Sequence, residues 1–122
     1  MAEKSRVLIV DDEESLRTIL SSELAGAGYE VATASDGDEG IKEIKNRKYD
    51  LVLLDIKMPK MDGFEVLKFV KKEHPAIKVI MLTGFADLKN AIESKKYGAE
   101  DFVSKPYDLV DLLTTIERVL SE

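Results

Sequence analysis

The sequence predicts an α/β protein, a five-stranded parallel sheet covered by helices on both faces in a three-layer sandwich. Three observations predict it. Short apolar runs recur along the 122 residues, at 6–10, 30–34, 51–54, 78–82 and 101–104. They are mostly continuous rather than alternating, as expected of strands buried on both faces. Segments of helical periodicity fill the gaps, and a strand–helix–strand repeat with right-handed crossovers builds one parallel sheet.

The elements follow in order. "RVLIV" (6–10) is the first strand, and Leu16, Ile19, Leu20, Leu24 and Ala27 then form an apolar helical stripe, stopped by Gly26 and Gly28. "EVATA" (30–34) is the second strand, and Ile41 and Ile44 mark a second helix with Asp36 as its candidate cap. "LVLL" (51–54) runs into Asp55, after which Pro59 and Gly63 break the chain. The third helix follows Gly63, with Phe64, Leu67 and Val70 on one face and Val66 and Phe69 beside them. "KVIML" (78–82) leads to a fourth helix over 87–97, whose face is weak (Leu88, Ala91, Ile92) and which Gly98 ends. "DFVS" (101–104) completes the sheet. The last helix has the clearest stripe, Leu109, Leu112, Leu113, Ile116 and Leu120, with Asp108 at its N-cap. No internal repeat, low-complexity tract or linker interrupts the pattern, so residues 1–122 read as a single domain.

Composition narrows the function classes. Apolar residues make up 44% of the chain, too many for disorder. Eighteen basic against 24 acidic residues give a net charge of −6, which argues against a nucleic-acid-binding surface. Cysteine is absent, which excludes disulfides and thiolate metal sites. No apolar run reaches the ~18 residues of a membrane span, and "MAEKSR" lacks a signal-peptide core. A cytoplasmic domain without a membrane partner is expected.

The candidate site comes from topology. Ligands of open parallel sheets sit beyond the carboxyl ends of the strands, where strand order reverses. With the flavodoxin-like order 2-1-3-4-5 that point lies between strands one and three. Strand one ends in Asp11-Asp12 and strand three in Asp55. Carboxylates ~4 Å apart repel by roughly 4 kcal/mol at an effective dielectric near 20, and a hard divalent cation such as Mg²⁺ relieves this. The competing reading is that Asp11 and Asp12 only cap the first helix, which begins near Glu14. Strand four adds Thr83, and strand five adds Lys105 before Pro106. Carboxylates, a hydroxyl and an ammonium are the groups that handle a phosphoryl group.

Four segments, "VDDEE" (10–14), "LLDIKMPKMDGFEVL" (53–67), "MLTGFA" (81–86) and "GAEDFVSKPYDLVDLL" (98–113), resemble the receiver domain of bacterial two-component response regulators. The resemblance covers essentially the whole chain. It implies that Asp55 is the phosphoacceptor. Asp12, Asp55 and the backbone carbonyl of Lys57 would hold Mg²⁺ directly, and Asp11 would act through a metal-bound water. Thr83 would hydrogen-bond the phosphoryl group and Lys105 would pair with it. A cis peptide is implied before Pro106, while Pro59 and Gly63 shape the loop after Asp55. The donor would be a phosphohistidine on a sensor histidine kinase or phosphotransfer protein. The domain would assist its own phosphorylation and dephosphorylation without turning over a separate substrate. Thr83 and Phe102 would form a switch that alters the surface of helix four, strand five and helix five for a downstream effector. Phe102 is otherwise a plain core residue.

Rival readings meet specific obstacles. A haloacid-dehalogenase-type phosphohydrolase needs a second Asp two residues after the nucleophile, where this chain has Lys57, and a cap segment it lacks. A flavin carrier needs a Thr/Ser/Gly-rich phosphate loop, whereas "DDEES" (11–15) would repel phosphate. A pseudo-receiver would lack one of Asp12, Asp55, Thr83 or Lys105, and all are present. His74 reads as a solvated loop residue, Lys71-Lys72 and Lys95-Lys96 as exposed helix faces, and Met58 and Met61 as loop packing. The arginines that join winged-helix response regulators through helix five correspond here to Thr115 and Glu117, so that dimer is not expected. Lys57 and Phe85, two past the acceptor and two past the switch hydroxyl, would border the path of hydrolytic water and slow decay of the phosphorylated form.

Overall fold

The computed structural model describes residues 4–84 and 88–122; Phe85 lies outside them. In chain order the elements are β1 (Arg6–Val10), α1 (Glu14–Gly26), β2 (Glu30–Ala34), α2 (Gly37–Asn46), β3 (Leu51–Asp55), α3 (Gly63–Glu73), β4 (Lys78–Thr83), α4 (Leu88–Lys96), β5 (Asp101–Ser104) and α5 (Leu109–Ser121). The sheet is parallel throughout, in the order β2-β1-β3-β4-β5. This is the doubly wound architecture the sequence predicts. No described helix is long and apolar enough to cross a membrane.

The strand pleat divides the core in two. Leu8, Val10, Val52, Leu54, Val79 and Met81 pack with Ile44 of α2 and Val66, Leu67 and Val70 of α3. Val7, Ile9, Leu51, Leu53, Ile80 and Leu82 face the other way, onto Leu20 and Leu24 of α1 and Leu112, Ile116 and Val119 of α5. Successive side chains point to opposite faces, so the middle of a strand between two helical layers is apolar on both. Among the described residues, three helices start on an aspartate whose carboxylate accepts a backbone N–H. Asp36 accepts from Glu39 (2.8 Å), Asp62 from Glu65 (3.1 Å) and Asp108 from Asp111 (3.1 Å).

Several expectations need correction. Ile19 is 57% exposed, because the buried face of α1 centres on Leu16, Leu20 and Leu24 and the helical wheel carries Ile19 off its edge. Ala27 is exposed and lies at the C-cap, beyond the helix. His74 is the half-buried C-cap of α3, its ring 5.8 Å from that of Phe69. Lys71 is no solvated lysine. Its ammonium donates to Glu100 Oε1 (2.5 Å) and to the Ile77 carbonyl (2.9 Å), while Glu100 Oε2 accepts the Val79 N–H (2.6 Å). Lys95 adds a hydrogen bond to the Glu100 carbonyl. This clamp joins α3 and β4 to the residue before β5. The Lys71 stem runs over Gly98, whose φ of +99° ends the α4 turn. Met58 and Met61 pack against the α2–α3 side of the core, as expected.

Candidate functional site

The carboxyl ends of β1, β3, β4 and β5 converge on one edge of the sheet. Asp11 follows β1 and continues its ladder, its N–H bonded to the Ala34 carbonyl (3.2 Å). Asp55 is the last residue of β3, and the N–H of Ile56 still reaches the Leu82 carbonyl (3.1 Å). Thr83 ends β4, and its carbonyl accepts the N–H of Lys105 (2.5 Å) just past β5. The ladders therefore run slightly beyond the apolar runs and fix the backbone beneath each polar side chain. The Lys105–Pro106 bond is cis, as the resemblance implies.

Gly63 explains how the following loop can pass so close. Its N–H bonds the Ile56 carbonyl (2.7 Å). A Cβ on Gly63 would stand 2.2 Å from the Asp55 carbonyl oxygen and 2.9 Å from Ile56 Cα. Only a residue without a side chain lets α3 begin directly against the backbone that carries Asp55. Lys60, in the same loop, takes a left-handed φ of 69°.

Asp11, Asp12 and Asp55 each offer a carboxylate oxygen within 4.8 Å of the other two. Asp11 is fully buried and Asp55 is 6% exposed, whereas Asp12 is exposed. Lys105 Nζ lies 2.7 Å from Asp11 Oδ2, 3.6 Å from Asp55 Oδ1 and 3.7 Å from Glu13 Oε1. One ammonium thus faces three clustered carboxylates. The imbalance shows in Asp55, whose pKa is pushed up to about 6 by burial and then by Asp11 and Asp12, against the opposing pull of Lys105 and the Ile56 N–H. Burial works to lower the Lys105 pKa, but the Asp11 hydrogen bond and the charges of Asp55, Asp11 and Glu13 outweigh it and hold the ammonium protonated. Hard oxygen donors with excess negative charge fit a small divalent cation that keeps several waters.

The capping alternative is answered in part. Asp11 Oδ1 accepts the Glu13 N–H (2.9 Å), but Glu13 itself, the N-cap of α1, makes no side-chain cap. Asp11 braces the helix entrance through one oxygen and holds Lys105 through the other. Thr83 is 3% exposed on the strand next to Asp55. Phe102 is half-buried, in register with Met81 and packed on the α2–α3 side of the core. Lys57 is exposed in the loop after Asp55. His74 follows α3 at the amino-terminal end of β4, away from Asp55 at the opposite sheet edge. Two contacts went unread in the sequence. Arg17 Nη1 donates to the Asp11 carbonyl (2.8 Å), and the Tyr107 hydroxyl donates to Glu23 Oε1 (2.9 Å), tying the β5–α5 loop to α1. The only signal was an arginine six residues past Asp11, which reads as an ordinary surface residue.

Comparison with known proteins gives a consistent result. The family model described as the response regulator receiver domain matches residues 7–117. The transcriptional regulatory protein ZraR of Escherichia coli O157:H7 is 41% identical over 115 residues, 94% of this chain and 26% of that protein. The DNA-binding transcriptional regulator NtrC of Salmonella typhimurium is 38% identical over 115 residues, covering 94% and 24%. The chain thus spans about a quarter of these curated relatives. Among solved structures, a CheY-like receiver domain protein of Methanospirillum hungatei JF-1 superposes with a TM-score of 0.93 at 39% identity, covering 98% of this chain and 95% of that one. Vibrio cholerae CheY4 gives 0.90 at 36% identity, covering 96% and 99%.

Proposed function

This chain belongs to the response regulator receiver domain family, and from that premise we propose that Asp55 accepts a phosphoryl group from a phosphohistidine on a sensor histidine kinase or phosphotransfer protein. The observation that carries the assignment is the position of Asp55, a buried carboxylate at the end of β3 with an oxygen within 4.8 Å of those of Asp11 and Asp12 and 3.6 Å from Lys105 Nζ. In the reaction an Asp55 carboxylate oxygen forms the new P–O bond as the P–N bond breaks, and the imidazole leaves with the electron pair. The domain supplies position and charge, and the partner supplies the activated group. It acts on itself and turns over no separate substrate.

Asp12, Asp55 and the Lys57 carbonyl would hold Mg²⁺ directly, and Asp11 through water. The ion, when bound, neutralises charge that builds on the transferred oxygens. Lys105, 3.6 Å from Asp55 Oδ1, pairs with the phosphoryl oxygens, and the Thr83 hydroxyl donates to them from the adjacent strand end. The product adds roughly 1.5 to 2 negative charges at the sheet edge. Movement of Thr83 and Phe102 in response would remodel the α4–β5–α5 surface for an effector. The domain is read as cytoplasmic, working without nucleic acid or membrane contacts of its own.

The test is labelling with acetyl phosphate and Mg²⁺. One acid-stable, base-labile phosphoryl group per chain is expected, abolished by Asp55→Asn and by chelation. Stoichiometric labelling of Asp55→Asn would overturn the assignment.

A further inference from the structure

We infer that Arg17 is a positioning residue for the acidic site, holding the Asp11–Asp12 peptide in the orientation that keeps the Asp12 carboxylate at the cluster. The inference rests on the Mg²⁺ reading above and deepens it.

Asp11 is engaged at each of its polar groups. Its N–H bonds the Ala34 carbonyl (3.2 Å), Oδ1 takes the Glu13 N–H (2.9 Å), Oδ2 takes Lys105 (2.7 Å), and its carbonyl takes Arg17 Nη1 (2.8 Å). Three of these fix Asp11 itself. The fourth acts on the next residue, because the Asp11 carbonyl and the Asp12 N–H share one rigid peptide plane. Turning that plane swings Asp12 Cα and its carboxylate with it. Asp12 is exposed, so neighbouring side chains do not hold it the way they hold Asp11. Its oxygen nevertheless lies within 4.8 Å of those of Asp11 and Asp55. Among the described hydrogen bonds, the contact that sets the plane is the one from Arg17.

The side chain suits the task. Arg17 sits in the first turns of α1, anchored by its own N–H to the Glu13 carbonyl (3.1 Å), and is half-buried. A guanidinium is planar and always charged, and it donates in fixed directions from a side chain that packing can orient. It satisfies the main-chain carbonyl of a fully buried residue, Asp11. Arg17 would touch neither the phosphoryl group nor the metal. It acts through the Asp11–Asp12 backbone.

Isothermal titration with Mg²⁺ on the full chain tests the inference, with thermal unfolding in chelator as the folding control. Arg17→Ala should raise the Mg²⁺ dissociation constant roughly tenfold, the usual scale for losing an outer support of a metal ligand. Arg17→Lys should fall between variant and parent. The Mg²⁺ concentration giving half-maximal acetyl-phosphate labelling should rise in step, with much less change at saturating Mg²⁺. Arg118→Ala, which removes an ion pair to Asp101 on the α5–β5 face, should leave Mg²⁺ affinity unchanged. A folded Arg17→Ala protein with parental Mg²⁺ affinity overturns the inference while leaving the proposed function intact. A parent that binds no Mg²⁺ overturns both. If Arg17→Ala does not fold, Arg17→Lys and Arg17→Gln decide, and parental affinity in both overturns the positioning role.

Discussion

Asp55 bears the greatest conflict between the fold and the chemistry proposed for it. It is 6% exposed beside two other carboxylates, with one ammonium to offset them. Removing its charge in chelator should therefore stabilise the chain. Asp55→Asn is expected to raise the melting temperature at pH 7 by about 3–10 °C, the response of a domain this size to about 1–2 kcal/mol of relieved repulsion and desolvation. The sign with pH follows from linkage. The Asp55 pKa is about 6 in the fold against 3.8 ordinarily, so the native state binds the extra proton and parental stability falls as pH rises from about 4 to about 6. The gain from asparagine should be complete above that window and vanish below it, as circular-dichroism melts of both proteins between pH 4 and 8 would show. A drop at pH 7 would make Asp55 a structural residue. Asp11, Asp12, Asp55, Thr83 and Lys105 were legible in the sequence because each closes or follows an apolar run, and parallel topology sends those ends to one edge. Lys71 and Arg17 were not. Their partners, Glu100 and the Asp11 carbonyl, are set by tertiary packing and by a backbone atom, and no local pattern marks either.

Glycines show what the elements ask of the sequence. Gly63→Ala places a methyl group 2.2 Å from the Asp55 carbonyl oxygen, and backbone has to move to admit it. The expected loss is about 1–3 kcal/mol of stability. Labelling should suffer more, up to roughly 100-fold, since displacing a reacting group by ~1 Å has that scale of effect. Gly26, in the last turn of α1, meets nothing within 4 Å, and Gly26→Ala should instead stabilise the chain by about 0.5 kcal/mol with unchanged labelling. Chemical denaturation and acetyl-phosphate kinetics on the pair separate the two cases. From sequence Gly26 reads only as a chain breaker, and Gly63 as one that also shapes the loop after Asp55, with no sign of how near the backbone passes. Element type was readable because unbroken apolar runs admit few alternatives to buried strands. Fine placement of faces was not, as Ile19 shows: residues at helical spacing define a stripe, but the partner layer decides where its edge falls.

At the scale of the molecule, the α4–β5–α5 face bears on assembly. Asp101 of β5 is paired within the chain by Arg118, which also reaches Glu122 (3.3 Å), and Thr115 and Glu117 supply no cation for a second copy. Light scattering with and without a phosphoryl mimic should therefore show no phosphorylation-driven dimer through α5, and a tight dimer through that face would contradict this. The two ends of β5 differ in kind. At its start, Glu100 is fastened to Lys71, Val79 and Lys95; at its finish, the Lys105 ammonium bonds Asp11 and lies near Asp55 and Glu13 in the acidic site. Such a strand is a lever with its fulcrum at Glu100. A small displacement demanded at Lys105, strong enough to strain its ladder bond to Thr83, is expected to appear as a swing that grows toward the site. Amide hydrogen exchange should then be slowest at Glu100 and Asp101 and quicken toward Lys105. Lys71→Met should free the fulcrum and flatten that gradient, dissipating a pull that the intact strand would deliver to its flanking helices.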